Sequence, residues 1–201
     1  NKKKKIIIFA GKLNKSKGYD IFGEAIIKIL NEFKDWKSIV IGDERRETFK
    51  FSHKNLIIKD WIPHDKLLSY YDKASISIVN PVWQEPFGRT ALESSSRGCA
   101  VVTTKSGGLS ETFKNNLVLK ENNPLQLYNL IKKLIKNPIY LKAIQKENFN
   151  NRKIFSKTES KKLDNIKIRK NIKDLKVNKK FNILHIGVFG SKLSFRTYDL
   201  S

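Results

Sequence analysis

From residue 5 to about residue 120, short runs of isoleucine and valine alternate with longer amphipathic stretches. The apolar runs are Lys5–Ala10, Ser38–Ile41, Leu56–Lys59, Ile76–Val79, Ala100–Thr103 and Leu117–Leu119. Short, β-branched and nearly continuous runs of this kind predict strands buried on both faces, as in a parallel sheet. Between them, Tyr19–Phe33 places Ile21, Phe22, Ala25, Ile26, Ile29, Leu30 and Phe33 at helical spacing, with Asp20 and Glu24 near its positive end. His64–Lys73 and Arg89–Arg97 read as further helices. Strand-helix repetition predicts an α/β architecture, a doubly wound parallel sheet flanked by helices.

Beyond Pro124 the pattern turns helical: Leu125–Lys136, then Pro138–Asn148 with proline in the first turn, then roughly Lys157–Lys173. The last stretch is basic, with sparse apolar positions at Leu163, Ile166, Ile168 and Ile172. A polar segment, residues 173–180, then leads into the apolar run Phe181–Gly190. We therefore expect one domain over residues 1–172, a linker over 173–180, and the start of a further domain over 181–201. The chain lacks methionine, which predicts an internal piece of a longer protein.

Composition excludes several classes. Hydrophobic residues at 39% and charged residues at 30% indicate a globular chain, not a disordered one. No apolar run approaches the roughly 20 residues of a membrane-spanning helix, and no secretory leader is evident. A net charge of +22 favours anionic partners. The lysines are scattered, however, and no helix-turn-helix, zinc-finger or aromatic sheet motif accompanies them, so nucleic acid is not the expected partner. The lone cysteine, Cys99, reads as core and suits a reducing compartment. His53, His64 and His185 lie far apart without acidic or cysteine neighbours at ligand spacing, so no metal site is expected.

The informative stretch is Pro81-Val-Trp-Gln-Glu-Pro-Phe-Gly88, which follows the strand Ile76–Val79 and precedes a helix. Phe87, Gly88, Arg89 and Thr90 then present backbone amides at a helix N-terminus, which favours a phosphate. Glu93 sits about one turn into the helix, where its carboxylate can reach back to accept from ribose hydroxyls. Glu85 stands before the helix, seven residues separating it from Glu93, positioned to bond a sugar hydroxyl.

These residues resemble the group 1 (family 4) retaining glycosyltransferases of GT-B fold, over roughly residues 5 to 170. The likeness rests on Glu85 and Glu93 in their Glu-Pro-Phe-Gly context, on Gly98-Cys-Ala-Val-Val-Thr103, and on Gly107-Gly-Leu-Ser-Glu111. It implies the Rossmann-like C-terminal, donor-binding half of such an enzyme, binding a nucleotide diphosphate sugar. A second element is Phe9-Ala-Gly-Lys-Leu-Asn-Lys-Ser-Lys-Gly18. In the resembling enzymes, arginine after the first glycine and lysine before the last neutralise the donor diphosphate. Here Lys12 takes the arginine position and Lys17 matches; Lys12 keeps the charge but loses the bidentate fork.

The resemblance thus implies a donor site of Gly11, Lys12, Lys17, Ile62, Glu85, Phe87, Gly88, Arg89, Thr90 and Glu93, with Glu85, Lys12 and Lys17 in the catalytic role. Ile62, next to Trp61, would lie near the base, and Gly107 and Gly108 would permit close approach. Neither metal nor cofactor is implied. The acceptor, a glycan or lipid-linked molecule, would bind a separate N-terminal domain, so this chain by itself would bind donor and transfer little. Residues 181–201 resemble the first strand and loop of another such N-terminal domain, the alternative being a terminal strand that returns to the same protein's partner domain. A cytoplasmic setting follows, with the basic helices able to meet an anionic inner membrane face, and surface polysaccharide synthesis is the expected role. A non-catalytic nucleotide-sugar-binding module, or a degenerate transferase, is the alternative.

Overall fold

The computed structural model describes residues 2–44, 46–109, 117–165, 183–189 and 192–198. Two compact units divide the chain, Asn1–Asn150 and Asn151–Ser201.

The first unit is built on five strands: β1 (Lys4–Ala10), β2 (Lys37–Ile41), β3 (Leu56–Lys59), β4 (Ala74–Val79) and β5 (Ala100–Thr103). They pair in parallel in the order β3-β2-β1-β4-β5. Chain order reverses next to β1, and the carboxyl ends beside such a reversal are where doubly wound sheets leave a ligand crevice. The expected Rossmann-like fold is therefore present. Central strand β1 is covered on both faces, with Ile7, Ile8 and Phe9 all buried, and at one edge Ala100 through Thr103 of β5 are buried too. The edge strand β3 instead leaves Ile57 and Ile58 exposed.

Helix α1 (Tyr19–Glu32) buries Tyr19, Phe22, Gly23, Ala25, Ile26, Ile29 and Leu30, the face its spacing dictates. The rings of Phe9, Tyr19 and Phe22 meet at centroid separations of 4.9 to 6.1 Å, and Phe49 and Phe51 close over Tyr19 edge-on. Burying each large aliphatic or aromatic side chain stabilises by about 1.5–3 kcal/mol. Helices α2 (His64–Lys73) and α3 (Arg89–Ser96) connect β3 to β4 and β4 to β5. Helix α4 (Pro124–Lys136) starts at Asn123, whose side chain accepts from the Gln126 amide, and buries Leu127, Ile131 and Leu134 in the same core as α1.

Two expectations change. Leu117–Leu119 forms no full strand; it makes a single parallel bridge, Val118 to Thr103, with Leu117 and Leu119 buried beside it. Three residues before the capping segment of α4 are too few to extend a ladder. The separate helices expected over Pro138–Asn148 and Lys157–Lys173 are one helix, α5 (Pro138–Asn165), because neither proline nor glycine interrupts it. Residues 166–173, including Ile166, Ile168 and Ile172, lie outside the described residues, as does the linker 173–180.

In the second unit, β6 (Ile183–Phe189) and β7 (Lys192–Tyr198) form an antiparallel pair running from Ile183 opposite Tyr198 to Phe189 opposite Lys192. Phe181, Asn182 and Gly190 of the expected strand and turn lie outside the described residues.

Candidate functional site

A cleft of about 520 Å³ opens at the carboxyl ends of β1, β2, β3 and β4. Its walls include all ten residues expected at the site: Gly11, Lys12, Lys17, Ile62, Glu85, Phe87, Gly88, Arg89, Thr90 and Glu93. The chain brings them together from three strand ends and two helix starts.

The first wall is the turn after β1. Gly11 donates its amide to Ile41 O at 3.0 Å, and Gly42 donates to Lys59 O at 3.0 Å, so neighbouring strand ends are stitched together. A side chain at Gly42 is impossible: its Cβ would stand 1.8 Å from Gly11 O. A short 3₁₀ turn, Lys15–Lys17, follows. Buried Asn14 caps it, its Oδ1 accepting from the Lys17 amide at 3.1 Å and the Ser16 hydroxyl at 2.8 Å. Asn14 Nδ2 in turn donates to Glu44 at 2.9 Å. Hydrogen bonds from the Arg46 side chain and backbone, and then from Asn14, hold the Glu44 carboxyl down at about 2.

The second wall is the loop carrying Glu85. The amides of Val82 and Trp83 donate to Ser16 O at 2.9 and 3.3 Å, locking this loop to the lysine turn. Lys17 Nζ forms an ion pair with Glu85 Oε2. The same oxygen accepts from Trp83 Nε1 at 3.2 Å. Lys17 Nζ also lies 4.8 Å from the Trp83 ring centroid. Lys12 lines the cleft without a hydrogen-bond partner among the described residues.

From behind, Gly107 and Gly108 press against this loop. Gly108 donates to Glu85 O at 2.7 Å. Gly107 has φ of 59°, and a Cβ there would meet Glu85 O at 2.3 Å. The close approach expected of these glycines is thus to the backbone of Glu85 and Pro86. Ser110 and Glu111 of the same motif lie outside the described residues.

The third wall is the start of α3, where Gly88, with φ of 77°, is the N-cap and has no side chain to cap the helix itself. The helix dipole therefore faces the cleft with its positive end. One turn in, Glu93 Oε1 receives His64 Nε2 at 3.1 Å and lies 3.6 Å from Arg89 Nη2. Glu93 does reach back along its helix, as side-chain tilt requires. Burial, and then the Glu93 charge, pushes the neighbouring Tyr71 phenol up. Trp61 lines the outer rim with 71% of its surface exposed, beside Ile62.

Sequence reasoning missed His64, Trp83, Asn14 and Asn80. Asn80 is fully buried at the end of β4 and donates to Gly18 O at 3.1 Å and to Asn122 Oδ1 at 3.3 Å. Trp83 lay inside the informative string, two residues before Glu85, a spacing that could have flagged it. Cys99 is core as expected: it is buried, and burial pushes its thiol up to about 11. Among the described residues, no group of three or more His, Cys, Asp or Glu residues gathers to hold a metal ion, and no helix is long and apolar enough to cross a membrane.

Comparison with known proteins shows what the chain is similar to. The model of the family described as glycosyl transferases group 1 matches residues 1–152. An uncharacterized glycosyltransferase of Methanocaldococcus jannaschii is 32% identical over 162 residues, covering 75% of this chain and 42% of its own length. The C-terminal domain of a group 1 glycosyl transferase from Francisella tularensis superposes with a TM-score of 0.65 at 24% identity, covering 74% of this chain and 84% of that one. The Anabaena protein HepE, in complex with UDP-glucose, superposes with a TM-score of 0.59 at 17% identity, covering 79% and 49%. At these identities the two structures establish the likeness of fold. The chain spans between 30% and 42% of the length of the curated relatives it matches.

Proposed function

Because the chain belongs to the group 1 glycosyl transferases, we propose that Asn1–Asn150 binds the nucleotide diphosphate sugar from which the whole protein transfers a sugar. The observation that carries this reading is the convergence, in one cleft, of Lys12, Lys17, the N-terminus of α3 and the two carboxylates Glu85 and Glu93. The fold likeness to a protein solved with UDP-glucose supports it.

In this reading the donor diphosphate lies between the lysine turn and the α3 N-terminus. Negative charge grows on that diphosphate as the bond to the sugar breaks. Lys12, Lys17 and the helix dipole oppose it, and they act most strongly if they are already in place. Glu93 accepts from ribose hydroxyls, and Glu85 holds a hydroxyl of the transferred sugar. The base lies toward Ile62. Catalysis then needs neither metal nor cofactor. The transfer retains anomeric configuration, and the acceptor is a glycan or lipid-linked molecule on a further domain. Such a reaction suits surface polysaccharide assembly on the cytoplasmic side, with basic helices touching the inner membrane face.

Calorimetry of the 201-residue chain against UDP, GDP and ADP tests the site. One of them binds, and Lys17→Ala and Glu93→Ala each weaken it. Absence of binding by all three, or unchanged affinity in both variants, would overturn the assignment. Transfer from labelled donor sugars by the whole protein, with the product anomer read by NMR, tests the reaction.

A further inference from the structure

Lys17 faces two demands that cannot both be met in the same way. In the structure its ammonium neutralises Glu85. On donor binding, under the reading above, it must turn toward the diphosphate. Glu85 would then lose its cation while its side chain is only 17% exposed, and a shielded carboxylate without a partner is costly.

One other group bonds the same oxygen: the indole N–H of Trp83, 3.2 Å from Glu85 Oε2. The backbone that carries Trp83 is held in place, because the amides of Val82 and Trp83 both donate to Ser16 O. The face of the same indole lies 4.8 Å from Lys17 Nζ, which gives the ammonium a second favourable neighbour. A half-exposed tryptophan, 45% accessible, thus touches both ends of the ion pair.

We propose that Trp83 is a positioning residue: its indole N–H keeps the Glu85 carboxylate aimed at the transferred sugar when Lys17 leaves it for the donor diphosphate. The proposal rests on the donor-site reading, and it assigns Trp83 a task that only a sugar-bearing ligand reveals. A nucleoside diphosphate alone engages Lys17 and leaves Glu85 with no sugar to hold.

The test is calorimetry on the 201-residue chain. The ligands are whichever of UDP, GDP and ADP the wild type binds, and the glucose conjugate of that nucleotide. Trp83→Phe keeps a ring for Lys17 but removes the N–H. It should weaken the glucose conjugate about tenfold, the scale of one hydrogen bond to a charged group, and leave the nucleoside diphosphate within about twofold. Trp83→His places a ring N–H two bonds from Cγ, as in indole, and should recover most of the loss. Thermal melts establish that both variants fold. Equal weakening of both ligands, no weakening of either, or failure of histidine to rescue would overturn the proposal. If the wild type binds no nucleotide at all, the donor-site reading itself falls; wild-type binding with an unselective Trp83→Phe sinks the Trp83 role alone.

Discussion

The Lys17–Glu85 pair makes a prediction with an unusual sign. Glu85 competes with the ligand for Lys17, so Glu85→Gln should strengthen binding of a nucleoside diphosphate that carries no sugar. Both side chains are partly shielded, at 29% and 17% exposure. Two unit charges about 4 Å apart attract by about 4 kcal/mol at an effective dielectric constant of about 20. Desolvation and ordering cancel most of that, and pairs near a surface retain about 0.2–1 kcal/mol. Partial shielding puts this one near the upper end, so releasing Lys17 should tighten nucleoside diphosphate binding by about 1 kcal/mol, roughly fivefold. Glutamine keeps a carbonyl oxygen for the Trp83 indole, so the loop stays in place. The gain should shrink as salt rises from about 50 to 500 mM, because screening weakens the pair being released. The sugar conjugate should lose the gain, since glutamine replaces the charged acceptor for its hydroxyl. Calorimetry at two salt concentrations, with both ligands, reads all of this. Weaker binding of the bare nucleoside diphosphate by Glu85→Gln would refute the competition and show that Lys17 does not turn to the phosphates.

Gly107→Ala forces a Cβ to within 2.3 Å of the Glu85 carbonyl in a left-handed backbone. It should cost about 2–4 kcal/mol in urea unfolding and lower ligand affinity by displacing Glu85; an unchanged midpoint would contradict the packing. Glu44 has a folded value of about 2 against an ordinary 4.5. Its contribution is therefore complete above about pH 4.5 and lost as pH falls toward 2, so Glu44→Gln should flatten the pH dependence of stability across that window, measured by thermal melts. Cys99, buried and held up to about 11, should react with a thiol reagent at pH 8 only at the rate of opening. Reaction at the rate of a free thiol would place it at the surface.

The sheet was legible because its information is local. Ile7, Ile8 and Phe9 are continuous in sequence and buried on both faces, and Phe22, Ile26, Ile29 and Leu30 repeat at helical spacing. The ten expected residues line one cleft, and nine of them fall in the two short stretches, 11–17 and 85–93, that carry the family resemblance, with Ile62 apart. The clasp between those two stretches was not legible. Asn14 meets Glu44 30 residues away, and Lys17 meets Glu85 68 residues away. Neither periodicity nor spacing encodes such pairs; only the superposition of strand ends creates them. The fusion of two expected helices into α5 shows the opposite error: residues 149–156, left between the two expected helices, hold no glycine or proline to end one.

The same geometry explains why the cleft holds both charge signs when its expected ligand is an anion. A pocket with Lys12, Lys17, Arg89 and a helix N-terminus would carry concentrated positive charge and repel itself. Glu85 and Glu93 relieve that repulsion: one engages Lys17, the other Arg89. Each carboxylate that the ligand reading assigns to a hydroxyl therefore already holds a cation. A donor supplies phosphate to the cations and hydroxyls to the carboxylates, so each side of the pairing finds its new partner on the same molecule. A simple phosphate meets only half of that exchange and leaves the carboxylates with weaker partners. Under the proposed donor reading, selectivity for the complete nucleotide sugar over its fragments is the expected outcome of the pairing itself, before any contact to the base is counted.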